Sequence, residues 1–149
     1  MTQRDPFDTL AGRADACRRR LSAFLRDVPA EEWGWRPEDG APSPQEIAAA
    51  LLAEESSLAE RFAATIGLDA RVARPHRDED PCATPASAAR ALGAARAASL
   101  ALFRAAPESA RAEAADLLAR LAFADGAAFG QTAVLLRLID PRRATPALT

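Results

Sequence analysis

The chain has no tyrosine, no lysine, one histidine and two cysteines in 149 residues. Each scarcity closes off a class of function. Cys17 and Cys82 are too few for a disulfide scaffold and lack the spacing of a metal site, so reduced thiols are expected. His76 is the one imidazole, which leaves a Ser-His-Asp triad or a Cys-His pair dependent on a single Pro-flanked segment. No stretch reaches the roughly 20 uncharged apolar residues that span a bilayer. The start, MTQRDPFD, carries acids where a secretory signal has a basic start and an apolar run. No membrane association and a cytoplasmic location are therefore expected. Gly-rich phosphate loops are missing. The 19 basic residues, all Arg, are outnumbered by 21 acidic ones, for a net charge of −2 and a pI near 5.5. That balance argues against nucleic acid as a partner, and the run Arg18-Arg19-Arg20 reads as a solvated helix face.

What is abundant is Ala, Leu, Arg and Glu, all helix formers, within a chain 49% hydrophobic and 27% charged. A single all-α domain over residues 1–149 follows, large enough to bury roughly two thirds of its unfolded surface. The first helix starts at Asp5 as N-cap with Pro6 in its first turn, and its stripe reads Phe7, Leu10, Ala14, Cys17, Leu21, Phe24. A long loop follows, VPAEEWGWRPEDGA, with room for one short helical turn near Glu31 and Glu32. Its two tryptophans, Trp33 and Trp35, are expected to pin it to the bundle end, with ligand stacking as the other candidate role.

Ser43, Pro44 and Glu46 form a capping box that opens the second helix, which runs to Ile66 or Gly67. Its stripe of Ile47, Ala50, Leu51, Glu54, Leu58 and Phe62 places the Glu54 carboxylate among apolar neighbours, where it needs a partner or a cavity. The segment 68–84, which holds His76, reads as a polar surface loop. Thr84 and Pro85 begin a third helix that runs to Ala105, with Ala88, Leu92, Ala95, Ser99, Leu102 and Phe103 facing inward. After a break at Pro107, a fourth helix from Glu113 to Ile139 directs Leu117, Leu121, Ala124, Ala128, Thr132, Leu135 and Ile139 to one side. Gly126 and Gly130 inside it each cost about 1 kcal/mol against Ala, so a closely approaching backbone is expected beside them. The tail 141–149 is expected to fray. Four stripes that must cover one another specify a four-helix bundle, with connectivity left open.

Two segments carry a resemblance. WRPEDGAPSPQEIAAALLAEE resembles the second-helix signature of DinB/YfiT-like proteins, a Trp-Arg-Pro loop, a Ser cap and Glu-Ile, except that the family's histidine position holds Ala50. LAFADGAAFGQTAVLLR resembles the family's last helix, matched at Asp125, Gly130, Gln131 and Arg137, with Ala124 and Ala128 at its two histidine positions. The resemblance implies a four-helix bundle, a site where three imidazoles hold a divalent metal, and activities that include thiol S-transfer, thiol-dependent isomerisation and hydrolysis.

Alanine has no lone pair to donate, so neither a metal nor any other cofactor is expected. The volume lost with three imidazoles either lets the helices close in, which suits Gly126 and Gly130, or leaves a pocket of Ala50, Glu54, Ala124, Asp125 and Ala128. The expected role is non-catalytic binding of a small molecule in the bundle core or of a partner chain, a homodimer included. The alternative is a metal-independent thiol S-transferase-like enzyme with Glu54 or Asp125 as base.

Overall fold

The computed structural model describes residues 5–68 and 80–143, so His76 and the end of the tail lie outside the described residues. Five helices and a 3-10 turn account for most of them, with no strand among the described residues: α1 (Pro6–Arg26), α2 (Ala30–Trp33), α3 (Pro44–Thr65), α4 (Pro85–Arg104), the turn Glu108–Ala110 and α5 (Arg111–Ile139). The helix starts follow local chemistry. The Asp5 carboxylate accepts from the Phe7 amide. Ser43 and Glu46 exchange side-chain and backbone hydrogen bonds in a complete capping box, and Thr84 does the same with Ser87. Gly67 closes α3 with φ +76, a left-handed position that suits glycine. In α2, Trp33 is buried and its indole N–H donates to the Cys82 carbonyl at 2.9 Å, while Trp35 packs half-buried against the same cluster. The long loop is thus fastened to the segment that leads into α4.

Cross-helix contacts fix the connectivity that the apolar pattern leaves open. Ser22, Arg18 and Ala14 of α1 meet Ala89, Leu92 and Arg96 of α4, so those two helices run antiparallel. Phe7, Arg18 and Phe24 of α1 meet Arg111, Asp125 and Phe129 of α5 in the same direction. Glu55 and Phe62 of α3 meet Arg96 and Phe103 of α4, again in parallel. The order is up, down, down, up, with α1 and α3 each packed between α4 and α5. Of the consecutive helices only α3 and α4 run parallel, so the segment between them must travel back along the bundle, whereas the Trp-bearing loop crosses one end from α1 to the antiparallel α3.

The core has two apolar parts. One gathers Leu21, Leu25, Trp33, Leu51, Leu92 and Leu135 at the loop end. The other gathers Phe7, Phe62, Phe103, Leu118 and Leu121 at the far end. α5 is long and apolar enough to cross a membrane, but here it contributes to both core clusters and buries a carboxylate.

Candidate functional site

Between the two apolar parts lies a layer of charge supplied by one residue from each long helix: Arg18 of α1, Glu55 of α3, Arg96 of α4 and Asp125 of α5. All four are at most 2% exposed. Each stands at core spacing on its helix, Arg18 between Ala14 and Leu21, Glu55 between Leu51 and Leu58, Arg96 between Leu92 and Ser99, Asp125 between Leu121 and Ala128.

The geometry satisfies nearly every polar atom. Arg96 reaches Glu55 through Nε at 3.1 Å and Nη2 at 2.9 Å, reaches Asp125 through Nη1 at 2.9 Å and Nη2 at 3.3 Å, and donates from Nη1 to the Ala14 carbonyl at 2.5 Å. Arg18 donates to Asp125 Oδ1 from Nε at 3.2 Å and from Nη2 at 2.7 Å. It also meets Glu55 Oε1 at 2.6 Å and caps the Leu92 carbonyl at 2.7 Å. Ser99 adds a hydroxyl donor to Glu55 Oε2 at 2.9 Å. Two cations and two anions sum to zero, the condition under which charges tolerate a core. Burial pushes the Glu55 carboxyl up. The hydrogen bond from Arg96, the charges of Arg18 and Arg96, and the Ser99 hydroxyl outweigh that, so it is held below its ordinary range.

This layer corrects the expected phase of α1 and α3. Arg18 is not on a solvated face, although Arg19 and Arg20 are exposed. Glu54 does not point inward: its side chain is 43% exposed and faces Arg120 of α5 at 3.6 Å, while the next residue, Glu55, is the buried one. Ala50 is likewise exposed, and Ala48 takes the core position. In a helix this rich in alanine, neighbouring phases are almost equally apolar, so a shift of one residue costs the pattern little.

Of the five residues expected around a former metal site, Asp125 and Ala128 face the core and Ala124 lies half-buried at its edge, whereas Ala50 and Glu54 are on the surface. Asp125 is brought instead to Arg18, Arg96 and Glu55. Gly126 and Gly130 have no backbone pressed against them, since a Cβ at either would meet nothing within 4 Å. Both lie toward the outside of α5.

The donor set does not fit a metal. Methyl groups stand at positions 50, 124 and 128, Asp125 is held by two guanidinium groups, and no group of three His, Cys, Asp or Glu side chains among the described residues could hold an ion. As a general base Asp125 is poorly placed for the same reason, because both its oxygens accept from arginine in a site closed to solvent.

The sequence matches no curated protein and no solved structure. It does match the family model of the DinB superfamily over residues 13–137, a span from α1 to the last turn of α5 that includes all four members of the charge layer. The chain belongs to the DinB superfamily.

Proposed function

We propose that this protein is a non-catalytic binding member of its superfamily, one that has lost the three-histidine metal site and takes up a small molecule or a second chain. The observation that carries this is how the buried ionisable groups are used. Glu55 and Asp125, the two buried carboxylates among the described residues, are engaged by Arg18, Arg96 and Ser99, so neither is offered to a substrate as acid or base. Alanines at 50, 124 and 128 support the same conclusion from the family pattern. Metal analysis of protein purified without chelators tests it. Less than one tenth of an equivalent of Zn, Ni or Fe is expected, and a stoichiometric ion would overturn the proposal.

A second chain as partner is favoured by one feature. Phe123, Val134 and Leu138 are 80%, 60% and 60% exposed, and helical spacing places them with Gly126, Ala127 and Gly130 on the outer side of α5. A homodimer through this face is isologous, and an antiparallel crossing near Ala127 would seat Phe123 of one copy over Gly130 of the other. Sedimentation at micromolar concentration should give a dimer that Phe123→Asp converts to monomer. A monomeric parent would remove this part of the proposal.

A further inference from the structure

The face where α1 and α4 meet carries a groove of about 510 Å³. Its small-residue lining is Ser22, Ala23, Ala89, Gly93, Ala94 and Ala97, and its charged lining is nearly all arginine. Arg18 and Arg96 sit beneath it but are neutralised by the buried carboxylates. Asp15 is the one carboxylate in the lining, and Arg19 takes it at 2.8 Å. Arg26 and Arg90 remain, and neither makes an ion pair or side-chain hydrogen bond among the described residues.

The register between the helices sets both cations toward one end of the groove. Ser22 donates to the Ala89 carbonyl, so Arg26, one turn further along α1, and Arg90, next to Ala89, lie at the same end of the groove. From there the small-residue lining runs past Gly93 to Ala97, toward Asp15. Guanidinium groups pair with carboxylate or phosphate in forked geometry. The alanine methyls beside Gly93 offer an apolar body something to lie against.

We propose that this groove binds a small amphiphilic monoanion, its carboxylate or phosphate head between Arg26 and Arg90 and its unbranched apolar body along Gly93 and Ala97. The proposal rests on the binding function above and gives its small molecule a place and a chemistry.

Isothermal titration of the full chain with decanoate and with octyl phosphate, both below their micelle concentrations and at low salt, tests it. Saturable one-to-one binding is expected, with affinity falling at least tenfold in an Arg26→Glu, Arg90→Glu double variant. Gly93→Leu should abolish binding, since a Cβ there meets nothing within 4 Å and the longer side chain fills the groove without disturbing the bundle. Decyltrimethylammonium, with the same chain and the opposite charge, should not bind. Circular dichroism of both variants guards against unfolding, which is not expected because Arg26 and Arg90 are exposed and a side chain at Gly93 enters open space. No saturable binding of either anion, or equal binding by parent and variants, would overturn the proposal. Binding confined to phosphatidylglycerol vesicles would overturn it in favour of a membrane surface. Absence of metal together with absence of decanoate binding would defeat the groove alone. A stoichiometric metal with binding intact would defeat only the non-catalytic function.

Discussion

Glu55→Gln is the sharpest test of how the charge layer acts. The substitution keeps shape and nearly all volume but removes one negative charge, leaving two buried guanidinium groups to share Asp125. Glu55 accepts from Arg18 at 2.6 Å, from Arg96 at 3.1 and 2.9 Å, and from Ser99 at 2.9 Å. Each charge-assisted bond contributes about 1.5–3 kcal/mol, and a buried pair broken on one side costs about 3–5 kcal/mol because its partner stays uncompensated. Shared donors make the bonds non-additive, so the expected loss is the latter figure, about 3–5 kcal/mol. A domain of this size has about 5–15 kcal/mol in total. Urea denaturation followed at 222 nm should therefore show a midpoint lowered by about a fifth or more with the slope unchanged. Replacing all four charges together, Arg18→Met, Glu55→Leu, Arg96→Met and Asp125→Leu, should cost far less than the single change or even stabilise. A loss below about 1 kcal/mol for Glu55→Gln, or a quadruple variant no better than the single one, would refute this account.

The same contacts and helix faces lead to three further expected outcomes. Glu55 has its carboxyl held below the ordinary value in the fold, so its stabilising contribution is complete above the unfolded value of 4.5 and is lost as pH falls through the folded one; acid titration of the parent should show stability declining below pH 4.5, and Glu55→Gln should flatten that decline. Glu46 behaves alike at the surface: hydrogen bonds from Arg36 lower it to about 2, so Arg36→Met should move its nuclear magnetic resonance titration up toward 4.5. Gly126→Ala fills open space on a helix and should add about 0.5–1 kcal/mol to monomer stability by thermal melting, whereas a loss of dimer in the same variant would locate the α5 contact.

The helix caps are legible in the sequence. Asp5, Ser43 and Thr84 each precede a proline and begin a helix as their chemistry requires, and the short turn at Glu31 and Glu32 forms where expected. The phase of the helices was harder. Ala48 is buried and Ala50 exposed, yet both have the same side chain, so hydrophobicity alone cannot choose between faces. Charge misled in the opposite direction, because Arg18 and Arg96 look like solvent-facing residues until their partners are known. A signal was available: Arg18, Glu55, Arg96 and Asp125 each sit three or four residues from apolar core positions on both sides, one per helix, with charges that cancel. Sequence spacing can nominate such a set, but only the parallel pairing of α3 with α4 brings Glu55 to Arg96.

The charge layer also constrains which sequences can succeed this one. An apolar core of equal volume is reachable only through intermediates in which one or three of the four charges have changed, and each of those leaves a buried ion without its counterpart. The path from either kind of core to the other therefore crosses a valley of poorly folded chains. A bundle that has acquired such a quartet is held to it by the unfitness of its neighbours, whether or not the quartet is the most stable solution.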